Sequence, residues 1–174
     1  TKVESIGSPN NLQTLTVTGP LNGTDIDYIH SSMPNIQVLN LTNASIVEGG
    51  DSYHQWNVAA NGDATIETYY GPWNTENNVL TRCTFYNMPT LRSISLPQGI
   101  TKIGEYALAQ DRNQNFKLAT IDIPASVTTI DHYAFNYAGI TEVTIPSGVT
   151  RIEENTFANC RKLRKATLPD GITY

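Results

Sequence analysis

The chain is short of charge, of cysteine and of histidine. Charged residues make up 16% of its 174 positions and the net charge is −5. A nucleic-acid binder needs a basic stripe, and none is visible. The densest basic cluster, Arg161, Lys162, Arg164 and Lys165, reads as a solvated turn between structural units. No apolar run reaches membrane-spanning length. Three histidines, His30, His54 and His132, share no ligand spacing, so no metal centre is expected. Asp25 and Asp27 sit where the first turn of a helix would use them for capping and dipole stabilisation. Asn61-Gly62-Asp63 lacks the ligand spacing and the bidentate Glu of a calcium loop. The chain carries no P-loop, dinucleotide fingerprint, nucleophile elbow or zincin helix. Glu48, Asp51 and Glu67 supply carboxylates without a spacing that would fix them as an acid/base pair. The expectation is a protein that is not an enzyme and holds no cofactor.

What the chain does have is a repeat. Leu91–Pro97, Leu118–Pro124, Ile140–Pro146 and Leu163–Pro169 each read apolar-x-x-apolar-x-apolar-Pro, and their prolines are 27, 22 and 23 residues apart. Such a period signals a solenoid, in which each coil covers the apolar face of the next. After the prolines come Ile100-Thr-Lys-Ile103, Val127-Thr-Thr-Ile130 and Val149-Thr-Arg-Ile152, then Ala107-Leu108, Ala134-Phe135 and Thr156-Phe157. Period-two alternation of β-branched residues argues strand. Proline ends each strand because it donates nothing to a ladder. Each coil should therefore hold a main strand, a turn, a short extended piece and one helical turn. Stacking predicts inward columns Ile94/Ile121/Val143/Ala166 and Leu96/Ile123/Ile145/Leu168, faced by Phe85/Leu108/Phe135/Phe157. Tyr106 and Tyr133 share a column with Cys83 and Asn155, read as a packing ladder. Cys83 and Cys160 fall three coils apart. At ~4.8 Å per coil that is ~14 Å, too far for a disulfide, which needs Cα atoms within ~7 Å. Two free thiols are expected.

The N-terminal residues 1–42 repeat the main strand in Leu12-x-x-Leu15-x-Val17 and Ile36-x-x-Leu39-x-Leu41. Between these lies a helix with Ile26, Ile29 and Met33 on one face, Thr24 as its N-cap with Asp27 three residues on, and Pro34 beyond its end. Residues 43–78 break the period: Ile36 and Leu91 are 55 residues apart, where two coils of ~23 would need about 46. The excess carries Tyr53, Trp56, Tyr69, Tyr70 and Trp73, with both tryptophans of the chain. Insertions in solenoids map to loops on one face, often the binding face. Two readings stand: rings offered to a sugar or protein ligand, or rings folded back to seal the first coils. Residues 79–174 form the regular array. The whole chain reads as one solenoid domain.

The run Ile-Pro-x-x-Val-Thr-x-Ile-x-x-x-Ala-Phe at Ile123–Phe135, weaker at Ile145–Phe157, resembles the BspA-like leucine-rich repeats, and Cys160 matches a frequent Cys of that pattern. The opening Leu-Thr-Val-Thr-Gly-Pro-Leu-Asn-Gly-Thr-Asp segment is similar to the first coil of such proteins from Bacteroides-type bacteria. The resemblance implies an α/β leucine-rich-repeat solenoid, a right-handed superhelix with a parallel β-sheet on one face, mostly strand and loop. It also implies a secreted or outer-surface protein, with a lipid anchor carried by a leader as one route. The implied partner is a protein or glycan of host or bacterial surface, with no nucleic acid and no membrane insertion. A monomer is the default. The expected contact surface joins the 51–73 insertion (Tyr53, Trp56, Tyr69, Tyr70, Trp73) to the outward strand positions Thr14, Thr16, Asn40 and Ser93. The alternative is a spacer that carries another domain and has no ligand of its own.

Overall fold

The computed structural model describes residues 9–53, 73–112 and 117–173. They wind into a parallel-strand solenoid of about five turns. The first coil is β1 (Thr14–Leu21) followed by helix α1 (Gly23–Ser32), and β2 (Val38–Ile46) begins the second. Short strands follow: β3 (Val79–Leu80), β4 (Ser93–Ser95), β5 (Lys102–Ile103), β6 (Thr120–Asp122), β7 (Thr129–Ile130), β8 (Glu142–Thr144) and β9 (Lys165–Thr167). The main sheet has the parallel order β1-β2-β4-β6, and a flanking sheet has the order β3-β5-β7. Strands β8 and β9 pair only with each other.

Register follows the repeat. Leu15, Leu39, Ile94 and Ile121 align as one inward column, but the expected column breaks before Val143, which aligns with Ala166 on the separate pair, and there Ala166 and Leu168 are exposed rather than buried because no described coil covers them. Within each sheet a side chain thus packs on its own counterpart one coil away. The prolines do more than end strands. The carbonyls of Pro97, Pro124 and Pro146 accept from the N–H groups of Ile100, Val127 and Val149 at 3.2, 3.1 and 3.0 Å. That bond closes the turn that swings the chain onto the flanking sheet.

Three features differ from the sequence reading. First, the N-cap is Asn22, not Thr24: Asn22 accepts from the N–H of Asp25, whose carboxylate accepts from the N–H of Asn22. Thr24 is committed elsewhere, its hydroxyl meeting the backbone and carboxylate of Asp51. Second, residues 43–46 belong to β2 and pair with β1 as far as Leu21↔Ile46. Third, the expected helical turns are successive tight turns. Cys83, Tyr106, Tyr133 and Asn155 all stand at φ between 55° and 60°, with Asn87, Tyr137 and Asn159 repeating this one turn later. A left-handed non-glycine residue costs roughly 1–2 kcal/mol. The cost is offset by bonds between coils, such as Phe85 N–H to Ala107 C=O (2.8 Å) and Gln110 N–H to Asn136 C=O (2.9 Å).

Candidate functional site: the strand face and its flanks

Alternation along β1, β2, β4 and β6 sends every second side chain outward. Register then gathers these into two rows, Thr14–Val38–Ser93–Thr120 and Thr16–Asn40–Ser95–Asp122. Thr14 and Thr16 are exposed, and Asn40 and Ser93 are half-buried. The four strand residues singled out from the sequence therefore share one surface. Asn40 Oδ1 accepts from the Thr42 N–H at 3.1 Å. Val38, 37% exposed, is the one large apolar side chain in these rows. The surface offers hydroxyl, amide and carboxylate groups and no activated nucleophile.

The insertion is anchored elsewhere. Its two ends meet where the Tyr53 N–H donates to the Trp73 carbonyl at 3.0 Å. Tyr53 is 2% exposed. Its hydroxyl lies 2.6 Å from Thr81 Oγ1 and 2.7 Å from the Arg82 carbonyl. Burial pushes its pKa upward. This ring is core, set beside the turn that follows β3, and it offers no face to a ligand. Trp73 is half-buried. The Arg82 guanidinium lies 5.0 Å from its ring and 5.7 Å from that of Tyr106, and pairs with Glu105 at 3.0 Å. Such a cation over a ring contributes about 0.5–2 kcal/mol. Trp56, Tyr69 and Tyr70 lie outside the described residues. The anchoring ends of the insertion thus bond to the flank after β3, away from the main strand face with which the sequence reading joined them.

The remaining candidates have structural jobs. Tyr106 and Tyr133 stack at 5.0 Å and 5°, and Asn155 Nδ2 donates to the Tyr133 hydroxyl at 3.0 Å, so this column is a packing ladder. Asp25 is buried in its capping box. His132 is 52% exposed beside Glu153. Cys83 and Cys160 are free. Burial pushes both thiols up to about 12, and Cys160 Sγ donates to the Phe135 carbonyl at 3.0 Å. Among the described residues no group of three or more His, Cys, Asp and Glu side chains converges as metal ligands, and no helix is long and apolar enough to cross a membrane.

Two concavities escaped the sequence reading. One, of about 310 Å³, lies where the end of α1 meets the next coil, between His30, Met33, Pro34, Asn87, Met88 and Pro89. His30 Nε2 donates to the Thr84 carbonyl at 2.8 Å, and burial lowers its pKa. The larger, about 540 Å³, opens between β6 and β8 on the strand side. The same apolar-x-x-apolar-x-apolar-Pro motif stands on both sides of this gap and gave no sign of it.

A family model for the BspA type leucine rich repeat region matches residues 73–174 in six copies. The chain belongs to the BspA-type leucine-rich-repeat family. Two solved structures are similar to this BspA-type chain. A leucine-rich repeat protein from Bacteroides ovatus ATCC 8483 matches at 24% identity and TM-score 0.41, over 60% of this chain and 32% of its own. A leucine rich cell surface protein from Faecalibacterium prausnitzii A2-165 matches at 16% identity and TM-score 0.44, over 91% of this chain and 48% of its own. The BspA-type chain therefore spans about a third to a half of these proteins. No curated protein matches it.

Proposed function

We propose that the chain is a non-catalytic recognition module of a secreted or surface-displayed bacterial protein, taking a protein or glycan ligand on its main strand face. The observation that carries this reading is the alignment of Thr14, Val38, Ser93 and Thr120 beside Thr16, Asn40, Ser95 and Asp122. Two adjacent rows of short polar side chains on a rigid sheet suit hydrogen bonding to a hydroxylated or peptide surface, with little side-chain entropy to lose. Membership of a family whose proteins are generally found at the cell surface supports the location. Trp56, Tyr69 and Tyr70 are proposed as a second contact element. Tyr53 is not, since it is buried.

The test is a glycan and matrix-protein array probed with the folded chain. A ligand found there should be lost by the Thr16→Arg and Ser93→Arg double variant at unchanged thermal midpoint, because both side chains point away from the core. A blank array with a cooperatively folded sample would overturn the reading in favour of a spacer. Trp56→Ala reports on the insertion. Trp73→Ala does not, because the Trp73 ring also packs against the core.

A further inference from the structure

At each coil step along the main sheet, one carbonyl at the strand entrance receives two amides from the following coil. Gln13 accepts from Gln37 and Val38, Gln37 from Arg92 and Ser93, Arg92 from Ala119 and Thr120, and Thr141 from Arg164 and Lys165, all between 2.7 and 3.3 Å. The equivalent carbonyl of Ala119 receives neither Thr141 nor Glu142, and β6 and β8 share no ladder. The flanking sheet likewise stops at β7. On the third side the coils stay closed: Phe135 N–H to Thr156 C=O and Tyr137 N–H to Ala158 C=O are both 3.0 Å, and the Phe135 and Phe157 rings stack at 5.1 Å. The stack is therefore parted along its strand side, while the Gly148 turn still lies against Val127 and Thr128. Two strand edges face each other across a cleft of about 540 Å³. Its floor is Ile121, Ile123 and Val143, and its rim carries Thr120, Asp122 and Glu142. Ile121 and Ile123 are only half-buried, where the matching Ile94 and Leu96 are fully buried.

We propose that this seam takes up an extended peptide of a partner protein as an additional strand between β6 and β8. The proposal goes beyond a ligand on the outer face, and it stands or falls separately. Strand edges with unpaired amides and carbonyls are templates for a further strand, and main-chain hydrogen bonds supply affinity in that mode while alternate side chains supply specificity. The register written into the repeat states the occupant. Ile121 and Val143 hold equivalent inward positions, so the peptide residue between them is aliphatic. Thr120 and Glu142 are equivalent outward positions, as are Asp122 and Thr144, so the residues on either side are cationic. Asp122 makes no ion pair among the described residues. Glu142 meets Lys165 alone among the described residues, at 3.8 Å with both side chains about 70% exposed. The partner segment thus reads cationic–aliphatic–cationic, in an extended conformation.

The experiment uses the whole chain and a capped hexapeptide of alternating lysine and valine, with glutamate–valine and lysine–serine peptides as controls. Hydrogen exchange of the free protein should show fast amides at Thr141 and Glu142 and slow amides at Ala119 and Thr120. The lysine–valine peptide should slow the first group at one peptide per chain. The Asp122→Lys, Glu142→Lys double variant, altered only at exposed positions, should bind it roughly fivefold more weakly and should now favour the glutamate–valine peptide. An N-methylated lysine–valine peptide should not bind. Slow exchange at Thr141 and Glu142 in the free chain would overturn the proposal, since the seam would then be closed. Equal binding of the lysine–serine peptide would overturn it too, as would protection that rises with protein concentration and no peptide, which would make a second copy the occupant.

Discussion

Phe135→Ala tests the stacking argument at its most sensitive point. The ring is fully buried and lies on Phe157 at 5.1 Å and 3°. Truncating a buried Phe to Ala costs about 3–5 kcal/mol, a large part of the roughly 5–15 kcal/mol that holds a domain folded. The size matters less than its distribution. In a stacked array each coil is held by its intrinsic stability and by the interfaces with its neighbours. Between the coil of β6 and that of β8 the main ladder is absent and the flanking one ends at β7, so the interface rests mainly on the Phe135 side, with the Gly148 turn against Val127 and Thr128. The variant should therefore release residues 140–173 before the rest. Hydrogen exchange followed by mass spectrometry through a urea series should show Val143, Ile145 and Lys165 losing protection at low urea while β1 and β2 keep theirs. Leu39→Ala, buried in the unbroken part of the sheet, should cost about 2–5 kcal/mol and weaken the whole N-terminal ladder instead. If Phe135→Ala lowers protection of β1 and β8 together, in one transition, the reasoning about the interface is wrong.

His30 should make the fold sensitive to acid. Burial lowers its pKa below 6.5, so the folded chain resists a proton that the unfolded chain accepts. Its contribution is complete above pH 6.5 and is lost as the pH falls towards the folded value, by at most about 1.4 kcal/mol per pH unit. Urea midpoints of His30→Gln should fall less steeply over that window than those of the wild type, and parallel curves would refute the assignment. The two thiols should be silent. With both pushed up to about 12, a thiol-specific disulfide reagent at pH 8 should label neither in the native chain and both after denaturation, and prompt native labelling would contradict their burial.

The repeat spacing carried most of the fold. Ile94↔Ile121 and Val143↔Ala166 align as the proline-terminated motif implied, because each side chain in a solenoid is placed by its counterpart one period away. Local choices were harder. Asn22…Asp25 and Thr24…Asp27 offer the same capping spacing, and the decision fell to Asp51, whose backbone and carboxylate occupy the Thr24 hydroxyl. The left-handed turns at Tyr106 and Tyr133 run against local preference and exist because bonds between coils outweigh it. The outward placement of Thr14, Thr16, Asn40 and Ser93 was legible because alternation needs only a period of two. The burial of Tyr53 was not, since its partners Thr81, Arg82 and Thr84 lie about thirty residues on, outside any repeat. The parted seam had no sequence signal at all.

The unequal length of the strands has a kinetic consequence. Seven aligned positions join β1 to β2, against three for β2 to β4 and three for β4 to β6. A chain that emerges N-terminus first completes the ladder of β1 and β2 and the helix before the windings that follow them, and each later winding closes onto a finished template for the entropy of one short loop. Assembly in that order runs like a zip fastener, each winding closing on the one before it.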